Sequence, residues 1–106
     1  MRYLNVFITV PDKKTADKII KETLNKKIVS CISIVEKINS FYWWRGKIEN
    51  SKERLLIMKT TASKFKLLEN AVKKNHAYQV PEIAAFEITK CNRDYLKWID
   101  DTVKKG

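Results

Sequence analysis

The chain has 106 residues, 44% of them hydrophobic and 32% charged, which supplies one core of ordinary domain size and argues against disorder. Its formal charge of +10 raises nucleic acid as a partner, yet of 22 basic residues only Arg2, Arg45, Arg54 and Arg93 are arginine, the side chain suited to bidentate phosphate and base contacts. The lysines are dispersed and interleaved with 12 acids, the pattern of a solvated surface and not of a specific nucleic-acid reader.

The opening MRYLNVFITVPDKK reads as a first strand from Tyr3 to Val10, ended by Pro11, and lacks the longer apolar region of a signal peptide. No apolar run nears the ~20 residues of a membrane helix, so no membrane association and a cytoplasmic location are the expectations. Cys31 and Cys91, without a CxxC or a Cys/His array, fit that compartment as free thiols and offer no structural zinc site. Asp12 is a candidate N-cap for a helix in which Ala16, Ile19, Ile20, Thr23 and Leu24 recur at three- and four-residue spacing.

Val29 to Val35, VSCISIV, predicts a strand, and the polar EKINS after it a bulge or bend. Four consecutive aromatics follow. Neighbouring side chains of a strand point to opposite faces, so Phe41 and Trp43 share one face and Tyr42 and Trp44 the other. Arg45-Gly46 predicts the hairpin turn, with Gly46 supplying a positive φ and the turn type left open. The returning strand begins polar, ENSKER, and becomes LLIMK, an apolar run that suggests burial on both faces. Ser63 is a candidate cap for a second helix with Phe65, Leu68, Ala71 and Val72 inward. NHAYQVPE reads as a loop and Ile83 to Thr89 as a fourth strand. Asn92 or Asp94 opens a final helix with Tyr95, Leu96, Ile99 and Val103 inward.

The order β-α-β-β-α-β plus a C-terminal helix predicts an α+β, ferredoxin-like sandwich, one domain over residues 1–106. Helices cover one sheet face and leave apolar residues to hide on the other. As one strand, Val29 to Trp44 would span roughly 50 Å at ~3.3 Å per residue, against a diameter of ~33 Å for a compact domain of this length. The hairpin must bend or project. A projecting hairpin with rings on both faces makes Phe41, Tyr42, Trp43 and Trp44 a self-association surface.

Catalysis has little to work with. His76 is the only histidine, no serine or cysteine lies near it in a nucleophile-elbow setting, and two glycines supply neither a Walker loop nor a dinucleotide fingerprint. The expectation is a protein that is not an enzyme. The loop from His76 through Tyr78 and Pro81 to Glu82 places an imidazole, a phenol and a carboxylate within seven residues. His76 is the candidate metal ligand. Tyr78, Glu82 and Lys59, which follows LLIM, are candidate ligand contacts. One His and one Glu fall short of the three or four ligands of a tight site, unless symmetry multiplies them at an interface.

TVPD ahead of a helix, VSCISIVEKINSFYWWRGKIE, LLIMKTT, HAYQVPEIAAFEI and NRDYLKWI together resemble the CutA divalent-cation tolerance family. The likeness runs from Asn5 to about Val103 and is most specific in the S-x-Y-W-W-x-G-K-I hairpin and the H-x-Y-x-V-P-E loop. It implies a ferredoxin-like subunit in a tight homotrimer, related in architecture to PII signalling proteins, whose long hairpin reaches a neighbour that covers Trp43 and Trp44. It also implies a role in tolerance of copper and other divalent cations, which makes copper the implied cofactor. Copper-binding members carry a cysteine where this chain has Ile8, and some carry a histidine pair where it has Asn75 and His76. Ala77 stands in place of a usual proline and Gln79 in place of a common glutamate, while Cys31 matches a cysteine frequent in the family. Weak copper binding is therefore the expectation. The alternative reading is a PII-like module that binds a small ligand or partner protein at clefts between subunits.

Overall fold

Proline cannot donate to a sheet ladder, and β1 (Tyr3–Val10) stops immediately before Pro11 in the computed structural model, which describes residues 2–104. Asp12 then caps α1 (Lys13–Asn25), its carboxylate accepting the Thr15 amide at 2.8 Å. That hydrogen bond holds the Asp12 carboxyl below its ordinary range. Of the predicted stripe, Ala16, Ile19 and Thr23 are buried, while Leu24 stays 37% exposed. It lies ~100° round the helix from Thr23, at the edge of the core-facing sector. The helix ends in a Schellman motif. The Ile28 amide donates to the Thr23 carbonyl at 2.9 Å and the Lys27 amide to the Leu24 carbonyl at 3.0 Å, with Lys27 at φ 55° where glycine is usual.

β2 (Cys31–Trp44) and β3 (Lys47–Thr61) form the long hairpin. Arg45 and Gly46, at φ 53° and 81°, join them with Trp44 opposite Lys47. Positive φ at both central residues marks a type I′ turn, whose twist suits the flanking strands. The register slips between Val35 and Ile38, and Lys37 takes φ 58°, so the bulge falls in the EKINS stretch.

Ser63 does not cap the second helix. A 3-10 turn over Ala62–Lys64 intervenes, the Ser63 hydroxyl pairs with Thr61 Oγ1 at 3.0 Å, and α2 (Phe65–Asn75) opens without a side-chain cap. The fourth strand is also shorter than predicted. β4 (Ala84–Glu87) keeps the four residues that face Leu4–Phe7, and beyond them only the Ile88 amide reaches β1, at the Tyr3 carbonyl where β1 begins. Asn92 is the start that α3 (Arg93–Lys104) uses, since its carbonyl accepts the Leu96 amide at 3.2 Å.

The strands form one sheet in the order β2-β3-β1-β4, every pair antiparallel. Alternation turns Val6, Ile8, Val10, Leu56 and Met58 toward α1 and α2, where they are wholly buried with Ile19, Leu68 and Val72. LLIM is thus not buried on both faces. Leu55 and Ile57 point the other way and are half-buried, because α3 covers only part of that side. There Tyr95 Oη lies 3.3 Å from Cys31 Sγ, and Ile99 and Val103 are buried. Elsewhere the face is open: Phe7 and Phe86 meet edge to face at 5.1 Å, with Phe86 54% exposed.

β1 pairs with β3 only from Arg54 to Thr61, so among the described residues 38–44 and 47–53 pair in the sheet only with each other. This overhang gives the chain its 44 × 26 × 22 Å shape and a radius of gyration of 14.3 Å, against ~13 Å for a compact domain of about 100 residues.

Candidate functional site

The loop after α2 is fastened at its start. Asn75 Nδ2 donates to the Ala71 carbonyl at 2.8 Å and to Glu22 Oε1 at 2.9 Å. His76 then lies against the end of β1, Nε2 2.8 Å from the Thr9 carbonyl, while the Tyr78 amide donates to Nδ1 at 3.0 Å. An imidazole that accepts at Nδ1 carries its proton on Nε2, so this network assigns a neutral ring that donates to Thr9. Tyr78, its ring 4.9 Å from the imidazole, donates in turn to Glu53 Oε2 at 2.5 Å. Glu53 is buried, opposite Ile38 at the base of the overhang. Burial, and then the Glu53 carboxylate, push the Tyr78 phenol well above the usual tyrosine range.

Loop and overhang enclose a groove of about 670 Å³. Thr9, Glu53 and Tyr78 line it together with Trp43 and Trp44 from the hairpin and Glu82 from the loop. The four rings sort by strand alternation. Phe41 and Trp43 are 73% and 72% exposed, while Tyr42 and Trp44 on the other face are 36% and 39% exposed. Ile48, opposite Trp43, extends the more exposed face. Tyr42 Oη bonds Ser51 Oγ at 2.8 Å, and the Arg45 guanidinium sits 5.5 Å from the centre of the Trp44 ring. Neither face of the hairpin is fully covered within one chain.

Of the candidate ligand contacts, Tyr78 and Glu82 come together in this groove and Lys59 does not. Lys59 sits six residues along β3 from Glu53, roughly 20 Å away at ~3.3 Å per residue, in register with Asn5 and Cys31. Beside it the Asn5 Oδ1 atom is buried, with no hydrogen-bond partner among the described residues. His76, the candidate metal ligand, has both ring nitrogens engaged inside the chain. Ile8 is core and offers no donor atom, Asn75 is committed to Glu22 and Ala71, and Cys31 faces Tyr95. No three His, Cys, Asp or Glu side chains converge as a metal ion requires among the described residues. The residues of one chain therefore do not fit a copper centre. Because ENSKER reads as solvent-facing, nothing within it singles out Glu53. Its alternation with Leu55 and Ile57 is the one sign that it turns toward the sheet.

The family model for the CutA1 divalent ion tolerance protein matches residues 4–102. The chain belongs to this family. This CutA1 family member is 40% identical over 99 residues to the divalent-cation tolerance protein CutA of Archaeoglobus fulgidus, which spans 93% of this chain and 96% of that one. It is 38% identical over 101 residues to the rice protein CutA 1, chloroplastic, covering 95% of this chain and 57% of the rice protein. Among solved structures, rice CutA1 superposes with a TM-score of 0.94 at 36% identity, over all of this chain and 97% of that one. The Archaeoglobus fulgidus CutA, described as a periplasmic divalent cation tolerance protein, gives 0.91 at 40% identity over 95% and 98%. No helix among the described residues is long and apolar enough to cross a membrane.

Proposed function

We propose that this CutA1 family member acts in tolerance of divalent cations, copper among them, as a cytoplasmic homotrimer without enzymatic activity. Family membership supports the cation role, since relatives bear the name divalent-cation tolerance protein. The observation that carries the assembly is the overhang, which pairs with no third strand and leaves Phe41 and Trp43 about three-quarters exposed. A second copy on those rings would remove the largest apolar exposure of the hairpin from water. Copper contact through His76 would have to free Nε2 and strand the Thr9 carbonyl. Losing this part-buried hydrogen bond costs about 1 kcal/mol, or roughly fivefold in affinity. Binding is therefore weak. Calorimetric titration with Cu²⁺ should give a micromolar or weaker constant that His76→Ala largely removes, and a nanomolar constant or an unaffected variant would show that the ligand is elsewhere. Expression in a strain lacking its own CutA should raise the divalent-cation concentration tolerated. Identical growth with and without the chain would overturn the role.

The groove favours a second reading, a PII-like module that takes a small ligand or partner between copies. Its volume lies within the ~300–1,000 Å³ of small-molecule sites, and Tyr78 and Glu82 give it polar contacts beside the rings. A saturable shift of tryptophan emission on adding a small metabolite, lost in Glu82→Ala, would support this reading over the first.

A further inference from the structure

A second cavity lies within the helical layer. Between the end of α1 and one side of α2, from Lys64 just before it to Lys74 in its last turn, there is a cleft of about 590 Å³. Ile28 and Ala71 give it a buried apolar floor, and Leu67 stands beside them 52% exposed. Around this floor are four lysines, Lys26, Lys27, Lys64 and Lys74, and one carboxylate, Glu22. That carboxylate is already committed, with Lys26 at 3.1 Å, Lys74 at 3.3 Å and Asn75 at 2.9 Å. These contacts, Asn75 foremost, hold its carboxyl at about 2, so at neutral pH it sets one negative charge against four positive. Neither Lys27 nor Lys64 is ion-paired to a carboxylate among the described residues.

Lys27 is the more telling of the two. It occupies the left-handed position of the Schellman motif at φ 55°, where a lysine is strained and glycine would not be. Fold stability favours glycine there, yet the residue present puts an unpaired cation on the rim of the cleft.

We propose that this cleft binds a nucleoside oligophosphate, with its phosphates against Lys27 and Lys64 and its base on the floor beside Leu67. Lysines suit phosphate as mobile point charges. The exposed amides of Asn25 and Asn70, also in the lining, supply donors and acceptors for the edge of a base. The volume suits one such ligand. A nucleic-acid strand fits less well, because the lysines converge on one apolar floor without forming a track, and no arginine lines the cleft. The site is built within one chain on the helical layer, so it does not depend on the assembly or the groove.

The test is calorimetric titration of the full chain with ATP and, separately, with inorganic tripolyphosphate at about 0.15 M salt. Saturable binding of one ligand per chain is expected, tighter for ATP. Losing one charge-assisted contact should weaken it about tenfold in Lys27→Gly and in Lys64→Gln. Lys18→Gln removes the same charge from an exposed position outside the cleft and should leave affinity nearly unchanged. Because Lys27→Gly relieves the left-handed strain, its melting temperature should equal or exceed that of the wild type, which separates lost binding from lost folding. Equal affinity for the two probes would overturn the nucleoside assignment. No saturable binding of either probe, or equal weakening by Lys18→Gln, would overturn the site.

Discussion

Replacing Trp43 by alanine should leave the subunit folded and take the assembly apart. The ring is 72% exposed in one chain, so its removal opens no cavity in the core. A tryptophan presents up to ~250 Å², of which 72% leaves roughly 180 Å² for a neighbour to cover. At ~25 cal/mol per Å² that is about 4 kcal/mol, and about 3 kcal/mol after the area alanine retains. In the proposed trimer the contact occurs three times, so full dissociation would become easier by about 9 kcal/mol, or six to seven orders of magnitude at ~1.4 kcal/mol per tenfold. Light scattering across the micromolar range should find a wild-type trimer throughout and concentration-dependent dissociation of Trp43→Ala. Trp43→Ala/Trp44→Ala should be monomeric or aggregated, while the far-ultraviolet circular dichroism of the single variant stays unchanged. A wild-type monomer, or an undisturbed trimer in the double variant, would refute the reasoning and require the hairpin to fold back on its own sheet.

Three further outcomes follow from single contacts. Glu22 has a folded pKa of about 2, below its ordinary 4.5, so its ionised form stabilises the fold above about pH 4.5 and that contribution is lost as pH falls toward 2. Urea midpoints of wild type and Glu22→Gln should differ at pH 7 and converge near pH 2, and a gap independent of pH would count against the contacts with Asn75, Lys26 and Lys74. Tyr78→Phe strips the donor from buried Glu53 and should cost about 1–3 kcal/mol in urea unfolding, with faster amide exchange in the 76–82 loop; an unchanged midpoint would show that water replaces the phenol. Gly46→Ala meets no atom within 4 Å, so any loss comes from the φ of 81° alone. About 1–2 kcal/mol is expected, with Gly46→Asn milder, and equal losses for the two would argue against the type I′ turn.

What was legible in the sequence was local. Pro11, Asp12 and Gly46 fix their neighbours within a few residues, and the alternation of Phe41 to Trp44 needs only a strand to hold. Capping at Ser63 was not legible, because its hydroxyl had a competing partner two residues back in Thr61. The role of His76 depends on the Thr9 carbonyl 67 residues upstream, a contact that no spacing within the loop encodes. Lys59 reads as the polar end of LLIM and Glu82 as the last residue of the 76–82 loop. Only the fold shows that Glu82 joins Glu53 in the groove while Lys59 stands six residues further along β3, in register with Asn5. The family motifs single out the hairpin and the loop, and the fold joins the two through Tyr78 and Glu53, a residue outside the loop motif.

β2 is the outermost strand of the sheet, so its outer backbone edge is unpaired. A copy on its own thus displays 14 residues of open hydrogen-bonding edge beside two tryptophans, the template from which fibrils grow. The bulge at Val35–Ile38 is the guard, since it kinks that edge and divides it into two shorter runs with charged Glu36 and Lys37 between them. Straightening it by deleting Lys37 would give a flatter edge, and solubility, more than fold stability, is the property that would suffer. The bulge thus guards the open edge of a single copy against strand-to-strand pairing.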